Sequence, residues 1–380
     1  MKIDYSKRIF GLDVMRAVAI SLVLISHTSL LMFRGEESLI LTIIKFFGAI
    51  GVDIFFVLSG FLIGGILLRQ IQKGKTKGKD MLYFLVRRWL RTLPNYYLIL
   101  IINIILLYYL HDMPLKGVPA FFLFLQNFSS GQMDFFTESW SLSIEEFAYI
   151  IGPMLLLIFF FFFKKTDKTR ILLLVTIIII VLITIFRLIF HLNEEVENQA
   201  FWSQDLRKVV IYRIDSIYYG FVAAYISTRF KHSWKNYRFG WMIAGAGLFI
   251  AMHLVIFKFS WLPENSSFFY NLLYLPLVSI SIALFLPFLD SWRKSTILRP
   301  TITWISLLSY SLYLVNYSIL LLTIEKYVDV SSMSLLGKCI MALLFWVVSF
   351  MLSYALFRWY EKPFMNLRDK PLILNKFKQE

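Results

Sequence analysis

Ten stretches of this chain are apolar for long enough to cross a bilayer, and they constrain the fold more than any motif does. A hydrocarbon core about 30 Å thick needs about 20 apolar residues in helical form. The runs fall at 12–32, 50–68, 93–110, 140–163, 171–190, 207–228, 239–258, 269–289, 302–322 and 335–357. The expected fold is an all-α, polytopic membrane bundle of about ten transmembrane helices over residues 1–357. A short basic tail, 358–380, follows. The first run keeps its charged residues and lacks a small-residue cleavage site, so it reads as an uncleaved span.

Composition agrees: 58% of residues are hydrophobic and the mean hydropathy is +0.68. The formal net charge of +15 would suggest nucleic acid in a soluble chain, but its distribution argues otherwise. The two termini and the loops 69–91, 164–170, 229–238 and 290–300 hold 28 of the 39 Lys and Arg residues. The opposite loops carry Glu194, Glu195 and Glu197. This asymmetry places both termini in the cytoplasm. The basic excess is therefore a topology signal, with lipid headgroups or an anionic cytoplasmic ligand as partners and no nucleic acid. Cys339 lies alone in an apolar run, so no disulfide framework or thiolate metal site is expected. His111, His191, His232 and His253 fall at loops or span ends without ligand spacing, and no metal is expected.

The informative residues are the ionisable ones inside the runs, which are costly there and point to a bundle interior or a functional path. Arg16 and His27 are eleven residues apart in the first run. That is about three helical turns, so they share a face about 16 Å apart. In the second run Gly48 and Gly51 bracket an expected break, with 38–47 lying along the outer interface. Asp53 then sits near the outer end, either approaching His27 or serving as a partner of the helix dipole. Gly60, Gly64 and Gly65 offer close helix packing. Arg87, Arg88 and Arg91 stand at the cytoplasmic mouth of the third run. Guanidinium forks there suit phosphates, and they also satisfy the positive-inside rule without a ligand.

The outer stretch VPAFFLFLQNF is too short to span and reads as re-entrant or interfacial. Glu145 and Glu146 are expected in the first turn of the fourth span, with a capping box from Ser143 to Glu146. Glu145, Tyr149 and Ser141 share a face and form a polar cluster at the outer leaflet. Arg213 and Asp215 lie well inside the sixth run. Residues two apart point different ways, so each is expected to have its own partner. Ser309, Tyr313 and Asn316 make one stripe in the ninth.

Two classes fit these residues. One is an enzyme moving a group at the membrane with His27 as base. The other is a transporter or exporter of a glycan precursor or small molecule, its path lined by Arg16, Asp53, Arg213 and Asp215. Symmetric halves with matching broken helices, common in transporters, are not evident.

Five ordered motifs then carry a resemblance: Arg16 and His27 after Gly11-Leu12-Asp13, GVDIFFVLSGFLI at 51–63, RRWLRTLP at 87–94, WSLSIEEF at 140–147 and YEKP at 360–363. The chain resembles the membrane acyltransferase-3 family, integral-membrane O-acyltransferases that modify bacterial surface polysaccharides. It reads as the stand-alone form, without the hydrolase-like domain that some members append. The resemblance implies a multi-pass protein of the bacterial cytoplasmic (inner) membrane. It implies a cytoplasmic acyl-CoA donor, usually acetyl-CoA, and a hydroxyl acceptor on a surface glycan or glycolipid, with a lipopolysaccharide or capsular sugar first and peptidoglycan next. It makes Arg16 and His27 the essential pair, and Arg87, Arg88 and Arg91 part of the donor end. Asp53, Glu145, Tyr149, Arg213, Asp215 and Asn316 are the candidates for substrate contact, with Asp53 or Glu145 orienting His27 or the acceptor. Members often carry a histidine where Asn316 stands, so any proton-handling role at that place is absent or elsewhere.

Overall fold

The computed structural model describes residues 8–36, 38–110, 117–293, 297–367 and 370. His111 and most of the expected tail lie outside the described residues. The membrane helices are α1 (Phe10–Met32), α2 (Leu39–Gln72), α3 (Gly78–Leu110), α5 (Ser139–Phe162) and α6 (Lys168–Asn193). They continue as α9 (Arg238–Lys258), α10 (Phe269–Ser291), α11 (Arg299–Tyr327) and α12 (Leu335–Leu367). Between α6 and α9 stand two shorter pieces, α7 (Gln199–Arg207) and α8 (Val210–Arg229), bent by 93°. Counted as one broken span, this pair makes ten crossings among the described residues, and an even number returns the chain to the face where it began. The face carrying the start of α1 is called basic below, after its loops.

Between α3 and α5 the chain forms a short helix, α4 (Val118–Phe122), and an irregular segment that packs inward: Phe121 and Phe136 are fully buried. Irregular backbone survives at such a place only if the protein supplies its hydrogen bonds. The segment and the broken span satisfy each other. The Asn127 and Phe128 carbonyls accept the N–H groups of Val210 and Ile211 at the start of α8. The Asn127 amide donates to the Lys208 carbonyl at 2.6 Å and to the Trp140 carbonyl at 2.9 Å. The stretch VPAFFLFLQNF thus packs one side inward and leaves Phe122, Leu123, Leu125 and Phe128 exposed, and its end closes the helix break.

α2 does not break. It runs 34 residues without interruption from Leu39, capped by Ser38, and the expected interfacial segment 38–47 belongs to it. Gly48 and Gly51 serve contact instead. A Cβ at Gly51 would lie 2.6 Å from the Ala19 carbonyl, and one at Gly48 2.7 Å from Ser26 Oγ, so both glycines press α2 onto α1. The α2–α8 crossing is closer still: a Cβ at Gly60 would sit 1.8 Å from the Ile217 carbonyl, and one at Gly220 2.2 Å from that of Val57. Gly64 packs on Phe221, whereas Gly65 faces only the Arg69 side chain at 3.5 Å and is no packing glycine. We expect Gly220→Val to cost about 3 kcal/mol or more, beyond ordinary overpacking because backbone is struck on both sides. A fall in the melting temperature of the detergent-solubilised protein, larger than that of Gly65→Val, checks this.

The helix after 357 continues to Leu367 and buries Glu361, which accepts from Asn95 and Ser311 at 3.0 and 2.7 Å. The first residues of the expected tail, with the YEKP motif, thus pack against the bundle. α9 stands at the periphery, burying little beyond Gly245 and Met252.

Candidate active site

A cavity of about 300 Å³ opens among α1, α2, α3, α5 and α11. Four arginines line it: Arg16 from α1, Arg69 from α2, and Arg88 and Arg91 from α3. It continues past Ser59 and Glu145 to Ser141 and Tyr313. Arg88 donates to the Tyr149 hydroxyl at 2.8 Å, lies 3.5 Å from a Glu145 oxygen, and stacks over the Tyr149 ring. Glu145 accepts from Tyr149 at 2.8 Å and from Ser59 at 3.0 Å. Arg16 donates to Ser306 at 3.2 Å and sits 3.7 Å from Asp13. Among the described residues Glu145 is the one carboxylate in this lining, so the wall carries a surplus of positive charge.

The three arginines expected at the donor end do not all line this cavity. Arg88 and Arg91 face the cavity, but Arg87 is not among the lining residues and donates to Tyr83 at 2.8 Å. Arg69 lines the cavity as well. It was hidden in the sequence because a cation closing an apolar run reads as a topology signal.

The Glu145–Tyr149 cluster is not confined to the outer leaflet. Glu145 lies six residues, about 9 Å, into α5, and Arg88 ten residues, about 15 Å, into α3 from the other face. They meet inside the bundle. Nor does Ser143 form a capping box. α5 starts at Ser139, which puts both residues inside the helix. There Ser143 receives the Gln126 amide at 2.6 Å, while Glu146 accepts from Trp89 at 3.1 Å and Thr92 at 2.9 Å. Ser141 parts from Glu145 and joins Tyr313 at 2.6 Å.

His27 is outside this lining and packs where α1 meets α11, against Asn316 and Tyr317. At Asn316 the α-helical pattern of α11 gives way to a π-helical turn, Asn316–Leu321, of the kind that often marks functional positions. The turn places three successive residues usefully. Asn316 bonds to His27 Nδ1, Tyr317 packs its ring 4.8 Å from the imidazole, and Ser318 turns toward α5. Asn316 is the informative partner. Its Nδ2 donates to the carbonyls of Leu312 and Tyr313 at 2.5 and 3.1 Å. Both amide hydrogens are thereby used, so Oδ1 must face His27. An amide oxygen only accepts, so His27 Nδ1 carries the hydrogen and Nε2 keeps its lone pair. Asn316 thus fixes the tautomer of His27.

Asp53 does not approach His27. It lies in mid-helix, which also removes the dipole reading, and pairs with Arg213, both fully buried. Asp215 pairs with Arg187 at 2.7 Å, again fully buried. Arg213 and Asp215 do take separate partners, as their spacing required. Arg187 was missed, although one arginine in an otherwise apolar run, LLLVTIIIIVLITIFRLIF, was a readable signal. His253 lies well inside α9 rather than at its end. It donates from Nδ1 to the Phe249 carbonyl at 2.7 Å and packs on Phe46 and Tyr274.

Glu138, just before α5, was also missed, because it reads as an exposed loop carboxylate. It is 4% exposed, and its carboxylate accepts from Ser318 Oγ at 2.6 Å. Its carbonyl accepts from the Tyr313 hydroxyl at 3.0 Å.

Comparison with known proteins gives the following. The sequence matches the acyltransferase-3 family, described as "Acyltransferase domain", over residues 9–358. It is 32% identical over 165 residues to the peptidoglycan O-acetyltransferase OatA of Listeria monocytogenes, covering 39% of this chain and 24% of that protein. It is 29% identical over 168 residues to the O-acetyltransferase OatA of Staphylococcus aureus, covering 40% of this chain and 25% of that protein. The matched region thus spans about a quarter of the length of these relatives. No solved structure matches.

Proposed function

Because the chain belongs to the acyltransferase-3 family, we propose that it transfers an acetyl group from acetyl-CoA, entering at the cytoplasmic face, to a hydroxyl of a cell-wall glycan. The observation that carries the reading is the convergence of Arg16, Arg69, Arg88 and Arg91 on one cavity that also reaches Tyr313, three residues before the Asn316 that bonds His27. The lining arginines suit the phosphates of CoA, and the apolar lining from Phe55, Phe56 and Ile63 suits a pantetheine arm. The relatives' names favour a peptidoglycan sugar as acceptor over the lipopolysaccharide or capsular sugar ranked first from sequence.

The chemistry follows from the tautomer. His27 Nε2 takes the proton of the acceptor hydroxyl as its oxygen attacks the thioester carbonyl. The C–S bond breaks, CoA leaves as thiolate, and the imidazolium returns the proton to it. Asn316 Oδ1 holds the Nδ1–H throughout, which keeps the ring oriented and the positive charge partnered.

Arg88→Gln or Arg91→Gln should raise the apparent KM for acetyl-CoA by about tenfold or more, since charge-assisted hydrogen bonds contribute about 1.5–3 kcal/mol. The effect should shrink for a donor analogue lacking the CoA phosphates. The test of the reading itself is acetyl transfer by the purified chain in liposomes, from acetyl-CoA outside to peptidoglycan fragments inside, followed by mass spectrometry. Flux of glycan without acetylated product would overturn it in favour of transport.

A further inference from the structure

A second cavity, of about 360 Å³, opens at the face opposite the basic one, and nothing above uses it. Its walls come from the ends of α1, α3 and α11 and from the segment before α5. Polar groups of both signs line it: Arg34, Asn103, Asp134, Ser318, Glu325 and Lys326. Phe135 with Leu106, Leu107 and Leu322 gives it an apolar side. Arg34 and Glu325 face each other at 3.6 Å. This volume is at the small end of ligand pockets, about 300–1,000 Å³. Donors and acceptors interleaved with apolar side chains suit a pyranose, whose rim of hydroxyls needs the former while its C–H faces pack on the latter. A lipid tail would waste the charges, and an anion would meet Asp134 and Glu325.

Ser318 ties this cavity to the centre. It lies two residues beyond Asn316 and donates from Oγ to Glu138 Oε1. The other Glu138 oxygen, Oε2, is buried and has no hydrogen-bond partner among the described residues. A buried carboxylate oxygen left unpaired is costly and calls for an explanation. A hydroxyl arriving past Ser318 would supply the missing bond. The Glu138 carbonyl meanwhile accepts from Tyr313, which lines the first cavity, so Glu138 stands between the two.

We propose that this outer cavity is the acceptor site, taking one pyranose ring of a glycan chain, and that Glu138, with Ser318, is the positioning residue that sets the ring against His27. The inference rests on the acyl-transfer reading above. Its test is arranged so that the two can fail separately.

The probe is the disaccharide repeat of peptidoglycan. Binding to the intact protein in nanodiscs is measured by native mass spectrometry, and transfer is measured with saturating acetyl-CoA. Asp134→Asn and Lys326→Gln lie on exposed groups and leave the interior untouched. Each should weaken disaccharide binding and raise its KM about tenfold, with the KM for acetyl-CoA unchanged. Glu138→Ala should lower kcat as well as raise the disaccharide KM, and Glu138→Gln, which still accepts from Ser318, should recover part of both. Unchanged disaccharide binding in all four variants overturns the proposal even if transfer proceeds. Weakened binding in the variants of a protein that never transfers acetyl keeps the site and overturns only the transfer reading.

Discussion

If His27 is the general base proposed above, His27→Gln should lower acetyl transfer by about a hundred- to ten-thousandfold, the range that such a positioned base contributes. It does so without a matching change in melting temperature, because the ring is half-buried and its neighbours are amide and aromatic groups that tolerate glutamine. The prediction becomes specific through Asn316. If the role of Asn316 is to hold Nδ1–H, then Asn316→Leu lets the ring adopt its other tautomer and turns the lone pair away from the acceptor. Activity should fall by at least tenfold while the KM for acetyl-CoA stays the same. Asn316→Asp should retain more activity than Asn316→Leu, since a carboxylate oxygen likewise accepts the Nδ1–H. Nitrogen-15 spectra of histidine-labelled protein, with the His27 signals assigned by difference against His27→Gln, read the tautomer directly. Loss of activity in Asn316→Leu with an unchanged Nδ1–H signal would sink the orienting role and leave only packing.

Arg187→Leu should destabilise the folded protein by about 3–5 kcal/mol, as expected when one partner of a buried ion pair is removed and the other is left charged. Asp215 would then be stranded at membrane depth against Arg213, which is already committed to Asp53. Replacing both partners with Arg187→Met and Asp215→Leu should recover most of that loss, because a buried pair is often no better than well-packed apolar residues. Thermal unfolding in one detergent, with all three variants side by side, gives the comparison. If the single variant is as stable as the parent, the two pairs do not hold α8 between α2 and α6. If the double variant is stable but inactive, the pairs have a part in the reaction that packing cannot replace.

Several elements were legible because they follow from local chemistry. The apolar runs marked the helices, since hydrocarbon leaves the backbone no other partner. Arg16 and His27 were placed on one face by helical spacing alone. The opposed directions of Arg213 and Asp215 came from the same geometry. Other elements misled for reasons that are equally physical. Gly48 and Gly51 look like a break in isolation, yet they are the surface on which α1 rests. Glu138 looks like a loop carboxylate until the segment before α5 folds inward and buries it. Arg69 and Arg87 are alike as topology signals, and only helix rotation separates the one that lines the cavity from the one that does not.

The sequence by itself determined the solvent in which this protein lives, the apolar helices that cross it, and the spacing of Arg16 and His27 along the first of them. Those depend on hydrophobicity and on distance along a helix, both properties of one segment at a time. The tertiary structure alone decided partnership: Asp53 with Arg213, Asp215 with Arg187, and Asn316 with His27. A charge or lone pair inside a bilayer must find its complement on another helix. Which helix that is depends on how glycine contacts such as Gly60 against Gly220 bring the spans together, information that no single span contains.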